Sequence, residues 1–290
     1  KTYNGNLLFH GSIPLNEDGT LKEVEIYGET CKGKALYDKL EAYVRKAFFT
    51  VDEKEKKASQ DILWYIWAGP NSPLYGKDKM TTFERYFIAD KETHKEKKNA
   101  YYHLWEKEEV VNRMLEEFGL KINYDFVVDN YCGRILVTQD QGFLQLQSDR
   151  HFPYIPIIQN FSSHVITKGL NAMLLQFASS ITNVKTTSAY TFTPLAKSSS
   201  ISGVQKVPVF FDIYKTWTRK HDFNQPNNTV AALLSNEDNN SAIVVITDAD
   251  FMQDKFFDPF YISNINFAVN SIEWLADDSG LIKLRNKYIE

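Results

Sequence analysis

Residues 242–247 (AIVVIT), running into Asp248-Ala-Asp250, set the expected fold class of this 290-residue chain. A fully apolar run of strand length that ends in acidic turn residues reads as a strand buried on both faces. The next stretch has helical spacing: over residues 262–275, Ile262, Ile265, Val269, Ile272 and Leu275 fall on one stripe. Strand, turn and amphipathic helix in that order is the α/β pattern of a parallel sheet covered by helices. Toward the N-terminus, residues 124–128, 134–138, 174–179, 189–193 and 230–234 are further short apolar or β-rich runs. Residues 198–204 and 225–228 read as loops.

Upstream of Leu120 the texture changes. Residues 1–120 carry 19 of the 33 Lys and Arg and 21 of the 37 Asp and Glu, so the shorter part is the charge-dense one. Leu36, Tyr37, Leu40, Val44 and Phe48 recur at helical spacing and predict a helix over residues 34–49. Further helices are expected at residues 59–67, ended by Gly69-Pro70, at 81–90, and at 106–118 with Gly119 as its stop. Residues 6–10 (NLLFH) and 21–27 read as strands, and residues 91–98 (KETHKEKK) as a charge run. The change falls at residues 120–122 without a polar linker, which gives two expected segments, 1–120 and 121–290. The chain opens at Lys1 inside a strand-like run, so a partial or chimeric chain is expected.

Composition narrows the function. A net charge of −4 lacks the basic excess of a nucleic-acid binder. No apolar run reaches the about 18 residues that a membrane-spanning helix needs, so no span is expected. Cys31 and Cys132 belong to no CxxC and read as two separate thiols. There is no Walker A glycine loop for ATP.

Several residues remain as candidates. His10 ends a buried run and precedes Gly11, which places an imidazole, the commonest metal-ligating side chain, at a strand edge. Arg85, His94, Lys95, Lys97 and Lys98 form a basic cluster suited to a phosphate, or else a solvated charge run paired with Glu92 and Glu96. Asp248, Asp250 and Asp254 could bind a divalent cation; the turn-and-cap reading is preferred. His151, His164 and His221 show no pairing, and Ser162 and Ser163 no nucleophile elbow. Trp217, with Arg219 and Lys220, reads as a packed patch.

Two resemblances bear on these candidates. Residues 3–19 (YNGNLLFHGSIPLNEDG), 72–104 (SPLYGKDKMTTFERYFIADKETHKEKKNAYYHL) and 116–120 (EEFGL) resemble part of a class III fructose-1,6-bisphosphatase. That family belongs to the calcineurin-like metallophosphoesterases. The resemblance implies a partial metallophosphoesterase-like α+β segment, a sugar bisphosphate substrate, and a pair of Mn2+ or Mg2+ ions that activate water. It makes His10 a ligand to one ion, and it offers Arg85, His94, Lys95, Lys97 and Lys98 as phosphate contacts. Ser12 stands where relatives are expected to carry Cys. The family's DxHG, GDxxDRG, GNHD and GHTP motifs do not occur here, so the segment is expected to be catalytically incomplete, without a bound ion pair.

Residues 122–130 (INYDFVVDN), 152–158 (FPYIPII), 174–181 (LLQFASSI), 244–254 (VVITDADFMQD) and 264–287 (NINFAVNSIEWLADDSGLIKLRNK) resemble the soluble domain of GldG-like ABC transporter auxiliary proteins. This implies a flavodoxin-like α/β domain without catalysis, associated with an ABC permease and ATPase. The alternatives are a working sugar-bisphosphate phosphohydrolase or a transporter-associated scaffold.

Overall fold

The computed structural model describes residues 2–3, 6–7, 11–141, 144–184, 189–238, 241–253 and 261–276. His10 and Asp254 lie outside the described residues. The chain divides into two compact units, Lys1–Arg113 and Met114–Glu290.

In the first unit, β1 (Thr2–Tyr3) and β2 (Asn6–Leu7) pair antiparallel. β3 (Val24–Ile26) and β4 (Glu29–Cys31) form a hairpin turned by Tyr27 (φ 51°) and Gly28 (φ 78°). Two positive φ values in succession give the turn whose twist matches the flanking strands. Val24 and Ile26 face inward, onto Leu36 and Leu40 of α1 (Gly33–Phe49) and Ile62 of α2 (Glu53–Ala68). α2 begins ahead of the expected residue 59 because Asp52 caps it, accepting the Glu55 N–H at 2.8 Å. Glu53 and Glu55 add negative charge to its first turn, where the helix dipole favours it. α3 (Thr82–Phe87), a 3-10 turn (Lys91–His94) and α4 (Tyr101–Leu104) follow, and α5 (Glu108–Glu117) contains the division between the units at residues 113 and 114. The chain leaves α5 through Gly119 (φ 97°), the expected stop.

The second unit is built on sheet. Its strands are β5 (Leu120–Ile122), β6 (Asp125–Asp129), β7 (Cys132–Gln141), β8 (Leu144–Ile158), β9 (Asn160–Phe161), β10 (Met173–Leu174), β11 (Ile181–Asn183), β12 (Thr191–Lys197), β13 (Ser202–Lys206), β14 (Thr229–Asn236) and β15 (Ser241–Ile246). One sheet runs β5-β11-β14-β12-β9 with β15 also on β14; a second runs β10-β8-β7; β13 pairs β6. β14 lies at the centre and is buried on both faces. Ala231 and Leu233 join a core with Met173, Leu195 and Phe267, whereas Ala232 and Leu234 join another with Leu120 and Ile181. The period of two along the strand sorts these residues between the two cores.

α6 (Tyr261–Ala276) supplies Phe267 to the first of these cores. Two buried amides hold it there. Asn264 accepts the Leu174 N–H at 3.2 Å and donates to the Leu174 and Phe251 carbonyls at 2.8 Å each. Asn270 donates to the Ile166 carbonyl at 2.9 Å.

The expected parallel sheet is corrected. β15 pairs β14 antiparallel, from Ala231↔Ile246 to Asn236↔Ser241, and every strand pairing among the described residues is antiparallel. The two strands are joined by a short connection, which permits only antiparallel neighbours. Among the described residues the sheet shows no parallel pairing, so the flavodoxin-like arrangement is not confirmed, while the mixture of helix and sheet is. The expected loop at residues 198–204 is also corrected: its second half forms β13.

Candidate functional site

The basic cluster of the first unit is organised by an acid. Glu96 is nearly buried, its side chain 14% exposed. The N–H and the hydroxyl of Thr81 both donate to its Oε1 at 3.3 Å. Lys77 Nζ reaches Oε2 at 3.4 Å, and Arg85 Nη2 reaches Oε1 at 3.4 Å. The hydrogen bond from the Tyr75 hydroxyl, with Thr81, Arg85 and Lys77, holds the carboxyl well below the usual range, at about 2, against the opposing effect of burial.

The five basic candidates do not share one focus. Arg85 turns to Glu96, and the His94 ring bonds the Ile88 carbonyl at 2.8 Å. Lys95 pairs with Glu92 at 2.7 Å, Lys97 pairs with Glu17, and Lys98 lies 5.5 Å from the Tyr102 ring centroid. Glu17 also faces His103 at 3.0 Å, and these two partners, Lys97 first, pull its carboxyl down. The backbone beneath is stitched together. Asp78 N–H donates to the Lys97 carbonyl and Asn99 N–H to the Gly76 carbonyl, each at 2.9 Å. The buried Asn99 side chain accepts from the Leu15 and Tyr101 N–H groups at 3.0 Å. Sequence reasoning missed the partial burial of Glu96 and the bracing by Asn99: nothing in a charge run distinguishes a half-buried glutamate from a solvated one.

The backbone after residue 10 is held closely. Gly11 has φ 112°, and a Cβ placed there would collide with the Pro73 carbonyl oxygen. Ser12 N–H donates to the same oxygen at 2.8 Å, and the Tyr37 hydroxyl donates to the Ser12 carbonyl at 2.7 Å.

In the second unit Asp248 accepts the Gln176 N–H at 2.7 Å and the Asp250 N–H at 2.8 Å. Burial pushes its carboxyl up. One oxygen closes the local turn to Asp250, and the other ties that turn to Gln176, 72 residues away. Asp129 does similar work, accepting from Ser199 N–H and hydroxyl and from Tyr131 N–H; burial raises its carboxyl too. His151 Nε2 accepts from Arg134 at 2.7 Å, and Cys132 Sγ lies 3.9 Å from its Nδ1. His164 packs on Trp274 with ring centroids 5.2 Å apart, and burial lowers its pKa. Ser162 bonds Thr167 and the His164 N–H, a local turn. Trp217 stacks on Phe223 with Lys215 4.1 Å from its ring centroid, a packed patch.

A dinuclear metal site needs several carboxylates and histidines to offset two divalent charges. Among the described residues no three His, Cys, Asp or Glu converge as such a site would. The described donor set therefore does not fit an ion pair. No described helix is long and apolar enough to cross a membrane.

Comparison with known proteins relates the chain to two protein families. The chain belongs to the Firmicute fructose-1,6-bisphosphatase family over residues 1–151 and to the family described as ABC-type uncharacterized transport system over residues 84–275. The two matches overlap across the change of texture at Leu120. Fructose-1,6-bisphosphatase class 3 of Clostridium botulinum (strain Loch Maree / Type A3) is 53% identical over 141 residues, covering 48% of this chain and 21% of that protein. The protein of the same name from Clostridium acetobutylicum is 53% identical over 130 residues, 44% of this chain and 20% of its own length. The chain thus spans about a fifth of the curated relatives it matches.

Proposed function

We propose that this chain works through protein contacts, combining a catalytically incomplete piece of a metal-dependent fructose-1,6-bisphosphate phosphatase with an ABC transporter auxiliary domain. Residues 1–120 form the phosphatase segment and residues 121–290 the GldG-like auxiliary domain. The observation that carries this reading is the pairing of Arg85, Lys95 and Lys97 with Glu96, Glu92 and Glu17. Cations already matched to acids of their own unit offer little unbalanced charge to a sugar phosphate. In an intact relative, His10 would serve one of two Mn2+ or Mg2+ ions in a gluconeogenic phosphatase.

The partners of the second unit on this reading are an ABC permease and ATPase. Co-expression of the tagged chain with a cognate permease–ATPase pair tests it. Stoichiometric co-purification that survives washing supports the reading, and its absence counts against an auxiliary role. The 53% identity to class 3 phosphatases favours the alternative of a working phosphohydrolase, which a direct activity assay separates.

A further inference from the structure

The alternation of β8 puts Ser148, Arg150 and Phe152 on one face of the strand. Val137 and Ile135 of β7 lie opposite Ser148 and Arg150. The surroundings are apolar: Phe152 and Ile135 pack in one cluster with Val209, Ile213 and Trp217. Two polar groups set into this face bond nothing in the protein. The Ser148 hydroxyl oxygen and Arg150 Nε are both buried, and neither has a hydrogen-bond partner among the described residues. Among the described residues no ion pair involves Arg150 either. Its chain neighbour Asp149 points to the other side of the hairpin and pairs with Arg134. The Tyr214 ring lies against the guanidinium, its centroid 4.8 Å from Cζ. Tyr214 is itself held at both ends, by a hydrogen bond from Gln139 to its hydroxyl and by its N–H on Asp212 Oδ1 at 2.8 Å.

A buried N–H without an acceptor is costly, and a guanidinium without a counter-charge beside apolar side chains is more so. An aromatic ring against the face of the guanidinium leaves its in-plane N–H edge as the side from which an anion binds. Same-face neighbours stand about 6.6 Å apart along a strand, so one carboxylate can take the Arg150 Nε–H on one oxygen and the Ser148 hydroxyl on the other. One guanidinium balances one negative charge. Lys215, on the same loop as Tyr214, is already matched by Asp222, so a dianion such as phosphate lacks its second cation here. Ile135 and Phe152 suit an apolar body attached to the carboxylate. We infer that Arg150 and Ser148 form a binding site for a monocarboxylate with an apolar body, beside the ring of Tyr214. Both residues keep partial exposure, which leaves such a ligand a way in. The site lies wholly in the second unit and stands whether or not the first unit is a phosphatase segment.

Calorimetric titration of the full 290-residue chain with benzoate, benzamide and inorganic phosphate tests the inference. Saturable one-to-one binding of benzoate is expected. Benzamide, the same ring without the charge, and phosphate are expected to bind at least about tenfold more weakly. Arg150→Lys keeps the charge but loses the Nε–H, and Ser148→Ala removes a hydroxyl that no protein group uses. Each is expected to weaken benzoate at least about tenfold. Circular dichroism melts of both variants without ligand check that the fold is kept, and Ser148→Ala, the smaller change, carries the test should Arg150→Lys unfold. Absence of saturable benzoate binding overturns the inference. So does equal binding of benzamide, tighter binding of phosphate, or undiminished benzoate affinity in a folded variant.

Discussion

Thr81 and Glu96 are joined twice: the backbone N–H and the hydroxyl of Thr81 both donate to one carboxylate oxygen of Glu96, at 3.3 Å each. This pair ties the entry of α3 to the charge run beyond it, and it gives the basic cluster an internal anion.

Acid titration reads this arrangement. Glu96 is held down to about 2 in the folded chain from an ordinary value near 4.5. Its contribution is fully present above pH 4.5 and is lost as pH falls from there toward 2. Glu96→Gln is expected to lower stability at pH 7 by about 1–3 kcal/mol and to flatten the acid limb. Denaturant melts at pH 7 and pH 3 check it; equal pH dependence of variant and parent contradicts the assignment.

Gly11→Ala is expected to be severe. The left-handed backbone and the close approach to the Pro73 carbonyl leave no room for a methyl group. The cost is at least about 2 kcal/mol. Thermal unfolding would show a lowered midpoint, and an unchanged midpoint would mean that this contact is wrong.

Asn264→Ala removes three bonds that fix α6 to Leu174 and Phe251. Leaving the Leu174 and Phe251 backbone groups unpaired costs about 2–4 kcal/mol. Hydrogen exchange should show α6 losing protection ahead of β14; uniform loss across the unit would point to a general effect instead.

The two thiols should differ. Burial pushes Cys132 up to about 11 and covers it, whereas Cys31 is only partly buried. At pH 8 iodoacetamide is expected to label Cys31 in the native chain and Cys132 only after unfolding. Peptide mass spectrometry distinguishes the two, and native labelling of Cys132 would contradict the buried position.

The helices themselves were legible from apolar spacing, and α1 buries Leu36, Tyr37 and Leu40 as that spacing indicated, but the buried face of α6 was not: Ile262 and Ile272 of the expected stripe are exposed, and Asn264, Phe267 and Asn270 lie inside instead. Residues 242–247 were legible as a strand, but the expected burial on both faces is not found, since every residue of β15 is only partly buried, and an apolar run carries no sign of its direction. The short span between β14 and β15 did carry it, since a hairpin must be antiparallel. β8 stayed hidden because Pro153 and Pro156 interrupt its pattern, and proline removes a ladder donor. β13 stayed hidden because Ser202 and Gly203 read as loop. Gly203 is small for a packing reason: a Cβ there would collide with the Asp222 carbonyl oxygen. Of the candidate site, the residue types were legible and their pairing was not. Lys97 meets Glu17 across a separation of 80 residues that no local pattern encodes.

On this account the chain, by itself, does not turn over a sugar bisphosphate. Phosphate release from fructose-1,6-bisphosphate by the purified 290-residue chain, with and without saturating Mn2+, tests it most directly. Rates indistinguishable from buffer under both conditions are predicted. Manganese-dependent release that disappears in a His10→Ala variant would contradict it.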